Sequence, residues 1–280
     1  MYQFKELAIT KYLSLLFISC FNAVMISLPT VQCHAETLRL ATTTTLHNSG
    51  LLDYLLPKIE NDIQTKIDHK VTATGQALRL GKLGEVDVLL VHAPAAERKF
   101  VREGWGIGRY PVMKNNFLLV GPQDDPVQIK GAKNLSSVFL KFTSGKATFV
   151  SRGDQSGTHK KEVYLWNKHA LFPVGASWYY EAGQNMKKTL AYASKVGAYT
   201  LVDKGTWLAH KASSTLAELY TDDPDLINVY SVILINSERH HINIKESSDF
   251  LDWFLSDRGR QVISEFKIEN QMPFESISSR

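Results

Sequence analysis

Apolar positions along the chain fall into two alternating rhythms. Short, mainly apolar runs at 38–41, 86–91, 117–120, 147–150, 199–202 and 229–235 read as buried strands. Between them the spacing changes to three and four residues. Leu51, Leu52, Leu55, Leu56, Ile59 and Ile63 predict an amphipathic helix from 49 to about 67. Helices are also predicted from 157 to about 169, over 185–195 with Met186, Leu190 and Ala193 on one face, and over 246–255 and 258–266. Strand–helix alternation implies an α/β fold with mixed, mostly parallel sheets covered by helices on both faces. In such sheets ligands sit at the carboxyl ends of strands, beside helix N-termini. The strand-to-helix turns are therefore where chemistry is to be sought.

The first 35 residues depart from this pattern. Lys5 and Lys11 are followed by an uncharged apolar run over 12–28, then Pro29 and a small-x-small ending, Cys33-His34-Ala35. That order describes a cleaved secretion signal over 1–35. The run is shorter than the roughly 20 residues that a membrane helix needs. An uncleaved anchor, or a lipoprotein acylated at Cys20 or Cys33, remains the alternative, although the residues before each cysteine fit a lipoprotein signature poorly. Cys20 and Cys33 are the chain's two cysteines, so cleavage leaves a periplasmic protein without thiol chemistry. The full chain carries +4, and +3 remains without Lys5, Glu6 and Lys11. No Lys/Arg block stands out, so nucleic acid is not indicated as a partner. A mild positive balance suits an anionic ligand.

Three turns are rich in small hydrogen-bond donors. Thr42-Thr43-Thr44-Thr45 follows the first strand, and its four hydroxyls stand beside the free N–H groups that open the next helix. N-capping alone would account for one threonine but not for four. Thr72-Ala73-Thr74-Gly75-Gln76 makes a second such turn, where Gly75 admits close backbone approach. The third runs from Ser151 through Arg152, Gly153, Asp154, Gln155, Ser156 and Gly157 to Thr158. Its guanidinium fork suits a tetrahedral oxyanion, and Asp154 is placed to orient it. A surface Arg–Asp pair beside a Ser/Thr cap is the plainer reading of that turn, and the density of donors argues against it. No G-x-S-x-G elbow surrounds Ser151 or Ser156, so an enzyme is not expected. His240-His241 lacks a second ligand pair, so no cation site or cofactor is expected either.

These turns, together with Ser49-Gly50-Leu51-Leu52, 84–94 (GEVDVLLVHAP), 116–122 (NFLLVGP), Trp178-Tyr179 and 198–206 (AYTLVDKGT), resemble the TupA-type tungstate-binding proteins of bacterial ABC importers. The wider resemblance is to type II periplasmic binding proteins. It covers nearly all of the mature chain. It implies a two-domain clam-shell whose hinge is crossed near 115–118 and 228–232. Domain I would hold 36–116 and 228–280, and domain II 117–227. It further implies tungstate as ligand with molybdate as near isostere, an ABC permease driven by a cytoplasmic ATPase as partner, and a monomer. Arg152 and Thr158, with Ser151, Ser156 and Gly157 as neighbours, would face Thr43, Thr44, Thr74 and Gly75 across the cleft. Thr45 stands where the family's first loop usually has serine, which adds a methyl in a tight place. His92 stands where the phosphate binders that share the Arg-x-Asp-x-Ser-Gly-Thr spacing carry an aspartate. A histidine can donate to an anion, so this difference favours an oxyanion that carries no proton. A receptor for phosphate or another oxyanion, or an oxyanion sensor, stays open as an alternative.

Overall fold

Residues 37–277 are described by the computed structural model of the protein. The expected leader over 1–35 and both cysteines lie outside the described residues. The chain enters as β1 (Leu38–Thr43), makes one helical turn as α1 (Thr44–Asn48), runs on as α2 (Leu51–Ile63) and returns as β2 (Ile67–Thr72). α3 (Thr74–Lys82), β3 (Val88–Val91) and α4 (Pro94–Arg102) continue the alternation, and β4 (Gly106–Gly121) then crosses the molecule. The middle of the chain forms α5 (Leu135–Phe142), β5 (Phe149–Ser151), α6 (Gly157–Lys168), β6 (Tyr179–Glu181), α7 (Met186–Val196), β7 (Thr200–Asp203), α8 (Lys204–His210) and β8 (Ala217–Tyr220). β9 (Ile227–Ile235) crosses back, and α9 (Ile244–Leu255), α10 (Asp257–Glu265) and β10 (Glu275–Ser276) end the described chain.

The fold is α/β with a mixed sheet in the order β10-β4-β9-β3-β1-β2, while β7 and β8 pair with the far end of β4. β1 is parallel to β2 and β3, and β9 is antiparallel to both β3 and β4. β1 to β4 therefore all point the same way. In the middle of the chain β5 is parallel to β6, and Phe149 bridges in parallel to Tyr199 at the entry to β7. β5 and β7 thus end side by side, which sets Arg152 and Asp203 at adjacent carboxyl termini. β4 exchanges partners along its length: Asn116 still pairs with Ile227 of β9, whereas Phe117 already pairs with Asp203 of β7.

The buried apolar side chains follow that exchange. One cluster joins Leu38, Leu51, Leu55 and Val88 to Val112, Val232, Phe250 and Phe254, all from the two ends of the described chain. Another gathers Phe117, Phe139, Phe142, Phe149, Trp166 and Tyr199 from its middle. There Trp166 meets Phe139 edge-on at 4.4 Å and Phe149 at 5.3 Å. An edge-to-face arrangement adds about 1 kcal/mol to the burial of such rings.

The helix expected over 49–67 is shorter at both ends. Gly50 and Gln64 take left-handed conformations, with φ of 77° and 53°, which fixes α2 at 51–63 and leaves Ile67 free to begin β2. Tertiary pairing also lengthens β4 well before the apolar run at 117–120. Its first two thirds carry Pro111, Lys114 and Asn115, yet they pair with β9 around a register shift between Pro111 and Met113.

Candidate functional site

Three of the donor-rich turns converge with β7 and β9 on one buried polar cluster. Thr43 ends β1 in extended conformation, and its side chain makes no capping bond to α1. Thr43 Oγ1 and Thr45 Oγ1 are buried with no hydrogen-bond partner among the described residues. Thr74, the first residue of α3, leaves its hydroxyl in the same condition, and Ala73 before it offers no side-chain cap. Thr158 Oγ1 in the first turn of α6 is a further such hydroxyl, as are Thr206 Oγ1 on α8 and Ser231 Oγ on β9. Unpartnered buried hydroxyls cost roughly 1–3 kcal/mol each, so those at the three donor-rich turns require an explanation. Thr42 is not among them, since its hydroxyl donates to the Leu90 carbonyl at 3.0 Å.

Arg152 lies at the centre with 1% of its surface exposed. Its Nε donates to Asp154 Oδ2 at 2.9 Å, and its Nη2 donates to Thr44 Oγ1 at 2.8 Å. Nη1 is buried and unpartnered. Asp154 does the orienting expected of it and also accepts from the Ser156 amide at 3.1 Å. Burial lowers the Arg152 pKa, and the charges of Asp154 and Asp203 oppose that shift. A guanidinium remains charged regardless. Gly153 and Gln155 both have positive φ, 62° and 59°, which curls the turn around the guanidinium. Gly75 lies against this turn, since a Cβ built there would stand 3.5 Å from the Gln155 carbonyl oxygen.

The Ser151 side chain is directed at α6. Its hydroxyl donates to Glu162 Oε2 at 2.8 Å. Glu162 also receives Tyr179 OH at 2.7 Å and Trp166 Nε1 at 3.1 Å, and burial pushes its carboxyl up to about 7. Ser156 N-caps α6 by accepting from the His159 amide at 3.2 Å, which leaves its O–H as a donor. Gly157 has no side chain because there is no room for one. A Cβ would come within 2.5 Å of the His92 ring.

His92 is held by a side-chain network from β4 and β9. Asn228 Nδ2 donates to Asn115 Oδ1 at 2.8 Å and to Tyr230 OH at 3.0 Å, so the Asn228 oxygen faces His92 Nδ1 at 2.9 Å. Burial and the nearby Arg152 charge take the imidazole pKa down to about 4. The ring is therefore neutral, and its Nε2 is buried without a hydrogen-bond partner among the described residues. The ring stacks on Tyr230 at 4.8 Å and on Phe117 at 6.3 Å, which makes it part of the cluster's floor.

Sequence reasoning missed Asn115, Asn228, Tyr230, Glu162 and Asp203. Asp203 had a signal: it ends an apolar strand and is followed by Gly205-Thr206, the same strand-to-helix grammar as the other turns. It caps α8 through Thr206 N at 2.9 Å, while its Oδ2 is buried and unpartnered. A cavity of about 480 Å³ opens beside the cluster, lined by Pro94, Arg98, Lys160, Tyr164 and Ile227. It is far larger than a tetrahedral oxyanion and shares only His92, Phe117, Gly157 and Asn228 with the cluster, so the donors themselves mark the candidate site.

The PBP superfamily domain matches residues 29–258. The chain is 44% identical over 232 residues to the tungstate-binding protein TupA of Peptoclostridium acidaminophilum, covering 81% of this chain and 80% of that protein. Among solved structures, the tungstate-binding protein TupA of Desulfovibrio alaskensis G20 superposes with a TM-score of 0.77 at 36% identity, over 88% of this chain and all of that one. The tungstate ABC transporter structure from Geobacter sulfurreducens gives 0.75 at 40% identity, over 82% of this chain and 99% of that one.

Proposed function

The chain belongs to the PBP superfamily and, within it, to the TupA-type tungstate-binding proteins, and from that membership we infer that it is an extracytoplasmic receptor that binds tungstate and passes it to an ABC transporter. It is a binding protein and not an enzyme. The observation that carries the ligand assignment is the set of unpartnered buried donors: the hydroxyls of Thr43, Thr45, Thr74 and Thr158, and Arg152 Nη1. A tetrahedral dianion without protons satisfies all of them at once. The water-poor surroundings strengthen each bond. Molybdate has the same shape and charge and is the natural second ligand.

The receptor consists of one lobe of 36–116 and 228–280 and another of 117–227. The partition of the apolar clusters and the exchange of β4 partners between Asn116 and Phe117 support that boundary. Thr43, Thr44, Thr45, Thr74 and Gly75 then belong to one lobe, and Arg152, Ser156, Gly157 and Thr158 to the other. The Arg152–Thr44 bond joins the two. Export by a cleaved leader, residence in the periplasm, action as a monomer and delivery to a permease with a cytoplasmic ATPase complete the proposal.

Calorimetric titration with tungstate, molybdate, sulfate and phosphate tests it. Tungstate and molybdate should bind tightly, with sulfate and phosphate far weaker. Tight binding of phosphate without tungstate would overturn the assignment.

A further inference from the structure

Beside the unpartnered hydroxyls and Arg152 Nη1, the cluster holds one unpartnered carboxylate oxygen among the described residues, Asp203 Oδ2. Asp203 is fully buried. Asp203 ends β7 beside β5, whose own end delivers Arg152, and the two charges influence each other. The α8 that Asp203 caps is pressed against the Thr44–Ser49 segment. A Cβ on Gly205 would stand 2.9 Å from Ser49 Cβ. The groups around Asp203 are thus Arg152 from β5, Tyr230 from β9, Thr206 on α8 and the apolar Phe117 opposite it on β4. Arg152 is the one cation among them, and it is already held by Asp154 on its other side.

Charge accounting then gives a conflict. With both carboxylates ionised, the cluster around Arg152 carries a net negative charge before any ligand arrives. Adding a buried dianion to such a site is strongly unfavourable, because like charges repel through a poorly screening medium. Protonating Asp203 removes the conflict twice over. It brings the cluster to neutrality, and it converts a carboxylate acceptor into an O–H donor. Asp154 is the less suitable proton acceptor, since both its oxygens already receive N–H groups, from Arg152 and from Ser156.

We propose that Asp203 takes up a proton from solvent when the receptor binds its oxyanion, and that its Oδ2–H then donates to the bound ion. The proton goes from bulk buffer to Asp203 Oδ2, and the ligand remains fully deprotonated. Burial, which already raises the carboxyl's pKa in the free protein, acts in the same direction. This inference rests on the tungstate reading.

The test is calorimetry with sodium tungstate from about pH 6.5 to 9 in buffers of differing ionisation enthalpy. The wild-type protein should take up close to one proton per tungstate over part of that range, with affinity falling up to about tenfold per pH unit there. Asp203→Asn keeps the cap acceptor and a donor, and it should show no uptake and a flat affinity profile. Should that variant fold poorly, infrared difference spectra of the wild type decide instead: a protonated-carboxyl band should appear on tungstate addition. Binding of tungstate with no uptake and no such band, or uptake that survives Asp203→Asn, would overturn the inference and leave the receptor reading intact. Preferential binding of hydrogen phosphate without uptake would mean that Asp203 stays an acceptor, which also overturns it. No tungstate binding at all would remove both.

Discussion

At the scale of single residues, the guanidinium of Arg152 is divided three ways. Nε is held by Asp154, Nη2 reaches Thr44, and Nη1 is left for the ligand. A lysine could not make these three contacts from one rigid plane. Arg152→Lys should therefore weaken tungstate binding by about 3 kcal/mol, more than a hundredfold, and Arg152→Ala by at least as much. Titration of the folded variants checks this, and near-native affinity would remove Arg152 from the site. Arg152, Thr43, Thr45, Thr74 and Thr158 were legible as candidates because hydroxyls and a guanidinium stand out in strand-to-helix turns. The direction in which a side chain points was not. Ser151 answers to Glu162, and His92 to Asn228, 136 positions away. Neither partner is visible from the local sequence. Asp203 was legible in principle, but a single carboxylate does not resemble an anion site until its burial and its neighbour Arg152 are known.

At the scale of elements, α6 both delivers and stabilises the Arg152 turn. Ser156 caps it, and Ser156→Ala should cost about 1 kcal/mol of stability, measurable in denaturant unfolding. Glu162, one turn into the helix, ties α6 to β5 and β6 through Ser151 and Tyr179. Its folded pKa, about 7, lies above its ordinary value of 4.5. Between those values the folded chain holds a proton that the unfolded chain releases, so the stability that Glu162 contributes is full below about pH 4.5 and lost as pH rises through 7. Glu162→Gln has no such proton. Its melting temperature relative to wild type should rise between about pH 5 and 8, and an offset equal at both would refute the assignment. The elements themselves were legible where periodicity was strong, as in α2, α6, α7 and β9. α1, α4 and α5 are short and lack a clear repeat. The early part of β4 is set by pairing with β9 across 111 to 129 positions of sequence, where local propensity has little weight.

At the scale of the molecule, the site exists only because segments from both ends and the middle of the chain meet. Thr44 and Arg152 are 108 positions apart and share a hydrogen bond. Two apolar clusters, joined by β4 and β9, hold the two sets of donors. The central claim is thus positional: one tetrahedral oxyanion lies between the two sets of donors. Tungsten scatters X-rays anomalously, so a crystal grown with tungstate locates it directly. A single anomalous peak should appear within hydrogen-bonding reach, through its oxygens, of Thr43, Thr45 and Thr74 on one side and of Thr158 and Arg152 Nη1 on the other. A fully occupied peak elsewhere, or contact with one set of threonines alone, would contradict the account.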